Sequence, residues 1–455
     1  MGRTVVYDEH VQKSLNGFIK AAGKDLLVGV LIGQCAPQRD IVIHVACSPK
    51  KSDEDSPHTE GDGKHSSKTS SKLSCIDESW MCQHARQVTR MLPGGLDILG
   101  LFAVAPSDVL AAAQLKLREA LYAVFRHFGK DEKLSFNAEV TDKILLQVCS
   151  VSHKVVCRTF DICDHLGGAK PADWKVSPGG APRWHRLETT MSLSLWAAQS
   201  EERCSQGLLR QLQSTVQPFF RAVDAASPLL NGEVRAPEES LDFGPSDRRK
   251  GRSREQQPQS IFVVDLFLPM DAANNNQAKA PALTQCGATM SVAGTIQCRG
   301  FVHHKATVEE AVRAIKQDIV RSITSRCEIQ CEDMLLIEDE QHDPSVVHEL
   351  PKRVFAPLDD RGVTVCDYIF HGDEAQDSLE AFNELLGLVV DPEDIELDVE
   401  RSPESNQQVI DGAEAAEIIN EATEQLSRGR NLLIPIASAA IAALGAGISY
   451  LLLQE

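Results

Sequence analysis

Apolar positions along the chain recur with two periods, and the alternation between them predicts the element order. Val11, Leu15, Phe18 and Ile19 fall at helical spacing, and Leu26 to Ile32 then forms an apolar run of strand length between Gly23 and Gly33. Ile41 to Ala46 predicts a second strand. Met81, Ala85, Val88 and Leu92 recur along a helix ended by Pro93, Gly94 and Gly95. Leu96 to Ala105 is nearly continuously apolar, the pattern of a strand buried on both faces in mid-sheet. Pro106 and Ser107 open a further helix, with Leu110, Leu117, Leu121, Val124 and Phe128 as its buried stripe and Gly129 as its stop. Ile144 to Val151 and Lys154 to Ile162 predict a hairpin, and the stretch on to Ser200 has no clear period. The fold class is α/β (α+β), with a first unit over residues 1–205.

A polar, Pro- and Glu-bearing stretch at 231–260 predicts a linker and carries the basic cluster Arg248, Arg249, Lys250, Arg252 and Arg254. A second α+β unit follows at 261–390. In it Ile261 to Leu268, Met290 to Val302 and Val354 to Phe370 predict strands. Thr307 to Ile323 predicts a helix whose Thr307 and Glu310 match a capping box and whose Val308, Val312, Ile315 and Ile319 face inward. Residues 48–74 and the acidic stretch 391–431 hold little to bury. The first predicts a disordered insertion and the second a stalk.

The stalk leads into Leu432 to Leu453, an uncharged run containing Leu432, Leu433, Ile434, Ile436, Ile441, Leu444, Ile448, Leu451, Leu452 and Leu453. At about 1.5 Å rise per residue, such a helix crosses the roughly 30 Å hydrocarbon core of a bilayer. Arg428 and Arg430 stand just before it, where the positive-inside tendency places cations on the cytosolic side. The expectation is a tail anchor with the N-terminal bulk in the cytosol.

Composition narrows the classes further. A net charge of −19 argues against nucleic-acid binding, which needs clustered positive charge. Thirteen cysteines without a repeated spacing read as free thiols of a reducing compartment. Cys149, His153, Cys157, Cys163 and His165 lie close in sequence but match no zinc-ligand spacing, and Cys327 with Cys331 supplies only two ligands. Cys298 near His303 and His304 is the nearest local nucleophile cluster, with the two histidines expected on opposite faces of a strand. No phosphate-loop, dinucleotide or nucleophile-elbow pattern occurs. The expectation is no enzyme and no cofactor. The alternative is a membrane-tethered hydrolase using a cysteine or metal site that one dimension does not reveal.

Gly29-Val30-Leu31-Ile32-Gly33 and, later, Gly100 to Pro106 resemble in order and spacing the MPN domain of proteasome-lid and deubiquitinase proteins. In that family's zinc enzymes the second segment carries two histidine ligands. Those positions here are Ala103 and Ala105, the family's serine and aspartate fall at Ala113 and Lys116, and its upstream glutamate falls near Leu26. A methyl group has no lone pair to give a metal. The resemblance implies the MPN fold without its metal site.

Val28 to Cys35, Val88 to Gly100 (VTRMLPGGLDILG) and the closing apolar span are together similar to the odorant response abnormal protein four family. That resemblance implies a tail-anchored adaptor of the endoplasmic reticulum membrane. As partners it implies the cysteine protease specific for the ubiquitin-fold modifier, held by the MPN-like domain, and seven-transmembrane receptors. Exposed flanks such as Arg86, Arg90 and Asp108 are the candidate partner surface.

Overall fold

Nine consecutive residues from Asp97 to Ala105 are almost entirely buried, and a strand of that kind needs neighbours on both sides and cover on both faces. The computed structural model, which describes residues 2–50, 76–128, 135–177, 182–241, 261–269, 287–336, 348–359 and 361–400, provides both. The first sheet has eight strands: β1 (Thr4–Tyr7), β2 (Leu27–Cys35), β3 (Arg39–Cys47), β4 (Asp97–Ala105), β5 (Asp142–Cys149), β6 (Val155–Asp161), β7 (Lys170–Pro171) and β8 (Asp173–Val176). Their order is β7-β6-β5-β4-β2-β3-β1-β8. Central β4 lies antiparallel to β2 and parallel to β5. The crossover from β4 to β5 runs through helix α3 (Ser107–Phe128).

Helix α1 (Glu9–Ala22) starts where the Asp8 carboxylate accepts from the Val11 N–H. Its Val11, Leu15 and Ile19 join Leu31, Phe102 and Leu146 in the core on one face of the sheet. Helix α2 (Glu78–Met91), capped by Asp77, packs with α3 on the other face. The sheet is thus covered on both sides, as the continuous apolar pattern of β4 requires.

The second sheet comprises β9 (Trp184–Gln199), β10 (Ser227–Leu230), β11 (Ile261–Phe267) and β12 (Ala288–His303), in the order β10-β11-β9-β12. Helices α4 (Leu208–Asp224) and α5 (Val308–Leu336) cover one face. Leu212, Val216 and Phe220 of α4 share a core with Leu193, Val292 and Ile296 of the sheet. The capping box at the start of α5 is present: Glu310 accepts from the Thr307 N–H at 2.9 Å and donates its own N–H to Thr307 Oγ1 at 3.3 Å. The helix then runs well past Ile323, to Leu336.

A hairpin of β13 (Lys352–Pro357) and β14 (Thr364–Ile369) adds Val354, Ala356, Val363 and Val365 to the core of the first sheet. A short helix, α6 (Ala375–Ala381), runs into a π-helical turn, Phe382–Leu386. Two buried histidines hold that turn. His44 Nε2 donates to the Leu386 carbonyl at 2.8 Å and His84 Nε2 to that of Leu385 at 2.9 Å, while Ser48 Oγ donates to His84 Nδ1 at 3.0 Å.

Three boundaries differ from the sequence reading. The first sheet gives way to the second before Trp184 rather than at 205, because β9 pairs along its whole length with β12, about a hundred residues downstream in sequence. Residues 231–241 of the expected linker are folded in, with Leu241 fully buried. Asp391 to Glu400 is not a free acidic stalk, since Glu396 pairs its backbone with Phe355 and Glu400 is buried. The insertion (residues 51–74 of it), the basic cluster, Arg428, Arg430 and Leu432 to Leu453 lie outside the described residues. Among the described residues no helix is long and apolar enough to cross a membrane.

Candidate functional site

The residues that the MPN resemblance sets at its metal position, Ala103, Ala105, Ala113, Lys116 and Leu26, fall on or beside β4, β2 and α3. Ala103 pairs with Val28 across to β2, and Ala105 sits beside Cys149 in the register of β4 with β5. Ala103, Ala105 and Ala113 are fully buried in one apolar cluster with Leu26, Val109 and Leu117, whereas Lys116 is exposed on α3. The three alanines and Leu26 thus share one apolar core, to which they contribute only hydrocarbon groups.

The remaining sequence candidates are dispersed. Cys149 packs with the α3 side of the first sheet and Cys157 with the α1 side. His165 stacks on Tyr122 with ring centroids 4.7 Å apart. Cys149 is the one described thiol drawn below its ordinary value, by hydrogen bonds from Ser152, whose N–H reaches the sulfur at 3.4 Å. Burial pushes Cys298 well up and Cys327 up to about 12. His303 ends β12 and His304 begins the following turn, so their rings lie 4.1 Å apart rather than on opposite faces. Burial, with His304 and Arg39 nearby, lowers His303 to about 3. Among the described residues no three His, Cys, Asp or Glu side chains are grouped to hold a metal ion.

The densest polar site lies instead where the Pro93-Gly94-Gly95 turn meets α5 and β12. A Cβ on Gly94 would stand 1.9 Å from the Ala314 carbonyl oxygen, and Gly95 has φ +83° with the Phe301 carbonyl 2.1 Å from where a Cβ would be. Only glycine allows both the approach and the left-handed backbone. The turn then joins the second sheet as an added strand segment: Gly94 N–H donates to Arg299 O at 3.0 Å, and Phe301 N–H donates to Gly94 O at 2.8 Å. Gln34 fastens a third element, donating from Nε2 to Gly95 O and Phe301 O, each at 3.1 Å, and accepting from the His303 N–H at 2.9 Å.

Beneath the turn, Asp318 of α5 accepts from Gly94 N–H and Arg299 N–H, each at 2.9 Å, and from both terminal nitrogens of Arg353 at 2.6 and 2.9 Å. Asp318 and Arg353 side chains are both wholly buried. Burial works against the Arg353 charge, but the adjoining carboxylate prevails and holds the guanidinium well above its ordinary value. Arg321, also on α5, donates to Leu92 O and Leu96 O at 3.1 and 2.9 Å and pairs with Asp97 at 2.6 Å.

A last pair of forks secures the stretch 391–400. Arg299 grips Glu396, and Arg326 grips Glu400, which also accepts from the backbone N–H groups of Gln297 and Arg353, each at 2.8 Å. At the rim, Arg86 and Arg90 of α2 meet Glu328 and Glu332 of α5. Two of the three flanks expected to be free for a partner are thus engaged within the molecule, and Asp108 remains exposed. Sequence reasoning missed Asp318, Arg353 and Glu400 because nothing local distinguishes a charged residue that will be buried.

The fold and site define a mixed α/β protein in which two sheets and a hairpin are joined by a buried ionic junction centred on a Pro-Gly-Gly turn. A family model described as ODR4-like (odorant response abnormal 4-like) matches residues 29–397, and the chain belongs to that family. It is 31% identical over 401 residues to the human protein odr-4 homolog, covering 87% of this chain and 86% of that one. The mouse protein odr-4 homolog is 30% identical over 458 residues, covering 99% of each. Odorant response abnormal protein 4 of Caenorhabditis elegans is 24% identical over 344 residues, covering 73% and 68%. Among solved structures, UfSP from C. elegans aligns with a TM-score of 0.40 at 8% identity, covering 85% of this chain and 57% of that one, a likeness too loose to fix a fold.

Proposed function

We propose that the chain is a non-catalytic adaptor, anchored in the endoplasmic reticulum membrane through Leu432 to Leu453 with its bulk in the cytosol. Its first unit, a metal-less MPN-type domain, recruits the cysteine protease specific for the ubiquitin-fold modifier, and the adaptor also supports folding and trafficking of seven-transmembrane, odorant-type receptors. The observation that carries this reading is the methyl-filled position formed by Ala103, Ala105 and Ala113, fully buried where a metalloprotease of that family would hold zinc. Family membership supports it, since the C. elegans relative is named for an odorant response.

The chemistry assigned to the adaptor is co-localisation. Confining an enzyme and its membrane-bound substrates to one surface raises their effective concentration without any residue of this chain entering the reaction. The test is affinity capture of the full chain from membranes in mild detergent, with bound proteins quantified by mass spectrometry, beside a version lacking residues 432–453. The modifier-specific protease is expected in near-equal amount with both versions, and in the membrane fraction only with the first. Absence of the protease sinks the adaptor reading, and cleavage of a modifier conjugate by the purified chain alone replaces it with the hydrolase.

A further inference from the structure

Where the two sheets meet, basic residues from three distant stretches of the chain lie together. Arg39 opens β3, Arg183 immediately precedes β9, and His303 to Lys305 end β12 and turn toward α5. Their backbones are fixed. His304 N–H donates to Arg183 O at 3.0 Å, Ala36 N–H to Arg39 O at 2.9 Å, and His303 N–H to Gln34 Oε1 at 2.9 Å. The buried indole of Trp184 meets the His303 ring at a right angle, with 6.1 Å between centroids.

The charges acting on His303 are those of His304 and Lys305 in its own turn, Arg39 from β3 and His185 from β9, and all of them oppose a proton on its ring. The ring is therefore neutral at neutral pH. The Lys305 N–H donates to its Nδ1 at 3.3 Å, which puts the ring proton on Nε2. No described residue accepts from that Nε2–H. Arg39, Arg183 and Lys305 are exposed, and among the described residues no carboxylate pairs with any of the three. By contrast Arg299, Arg321, Arg326 and Arg353 of the ionic junction each hold one. Like charges gathered without a counter-charge cost free energy. In a chain with 65 acidic residues against 46 Lys and Arg, the absence of a carboxylate here is a local departure from the overall balance.

We infer that Arg39, His303 and Lys305, flanked by Arg183, form a binding site for a phosphate group, carried either by a soluble phosphate or by a lipid headgroup. A bound anion supplies the counter-charge that the cluster lacks. A phosphate monoester has nearly two charges at neutral pH and three acceptor oxygens, enough to meet both cations and the Nε2–H at once. A carboxylate offers one charge and two oxygens. The net charge of −19 does not prevent binding, because carboxylates more than about 8 Å away are largely screened at physiological ionic strength. The site does not depend on the chain being anchored in a membrane.

The test uses the full chain in non-ionic detergent, isotope-labelled at histidine Cε1 and followed by NMR, with the His303 signal identified by its loss in His303→Gln. Inorganic phosphate, acetate at matched ionic strength, and detergent micelles doped with a phosphatidylinositol monophosphate are titrated in turn. A saturable shift of the His303 signal with phosphate and none with acetate is the expected result. Its titration midpoint should also rise, because a bound anion favours the imidazolium. Arg39→Glu combined with Lys305→Glu is expected to weaken phosphate binding about tenfold or more. Lys13→Glu combined with Lys20→Glu makes the same charge change on the exposed face of α1 and is expected to weaken it less than about twofold. Saturation by doped micelles at lower phosphate concentration than by inorganic phosphate assigns the lipid headgroup, and the reverse order assigns soluble phosphate. No saturable shift, an equal shift with acetate, or equal weakening in the two double variants overturns the proposal.

Discussion

Asp318 offers the sharpest test of how the molecule is held together. Its carboxylate is fully buried and accepts four hydrogen bonds, two from backbone N–H groups and two from Arg353, which is itself fully buried. Asp318→Ala removes all four at once. It strands a guanidinium with no counter-charge, a change that costs about 3–5 kcal/mol, and leaves the buried Arg299 N–H unpaired at about 1–3 kcal/mol before relaxation, while the Gly94 N–H keeps its bond to Arg299 O. These costs are not additive, and an overall loss of about 4–6 kcal/mol is expected, comparable to the whole stability of many domains. Removing both charges with Asp318→Leu and Arg353→Met takes away the stranded cation and leaves mainly the unpaired Arg299 N–H. The double variant is therefore expected to be more stable than Asp318→Ala by about 2 kcal/mol or more. Urea unfolding followed by tryptophan fluorescence measures both, and amide exchange at residues 92–97 reports whether the turn detaches first. A loss below about 1 kcal/mol in the single variant, or a double variant less stable than it, would refute the view that the junction depends on the pairing of these charges.

Other outcomes follow from the same geometry. Gly95→Ala adds a Cβ beside the Phe301 carbonyl at a left-handed backbone position, and a loss of about 2 kcal/mol or more in thermal or urea unfolding is expected. His44 is lowered by burial to about 4, against about 6.5 in an unfolded chain. The folded state then binds fewer protons, so His44's contribution is complete above pH 6.5 and drains away as the pH falls toward 4, by about 3 kcal/mol. His44→Gln is expected to flatten that dependence, and an unchanged slope of stability against pH would contradict the assignment. Replacing Ala103 and Ala105 together with histidine overfills a closed core, so a loss of about 2–3 kcal/mol or more is expected, with no zinc found by elemental analysis of the purified variant. Stoichiometric zinc there would show that a latent metal site survives.

The first sheet was readable because its strands announce themselves. Leu26 to Ile32 and Leu96 to Ala105 are apolar on both faces, and only a strand covered on both sides pairs with that pattern. The capping box at Thr307 is equally local. What escaped was decided by partners distant in sequence. β9 does alternate, with Leu187, Met191, Leu193 and Leu195 facing the core, but the intervening Ser and Thr residues mute the signal, and its partner β12 begins at Ala288. The Pro-Gly-Gly turn was legible as a turn, whereas its closure by Gln34, Asp318 and Arg299 was not, since those residues lie about 60 to 220 positions away. At the candidate site the alanines could be read from sequence spacing. Their burial in one continuous apolar cluster needed the structure.

The fork on Glu400 has a mechanical consequence. The side chain is fixed by Arg326 on α5, by the Gln297 N–H on β12 and by the Arg353 N–H on β13, so three elements share any load arriving along the chain beyond that residue. Strands pulled from one end open one hydrogen bond at a time and yield at low force, whereas bonds loaded in parallel must rupture together. Traction on the C-terminal end therefore meets its resistance at a single carboxylate, several residues before it reaches the core, and the body of the protein can be tugged without being unravelled.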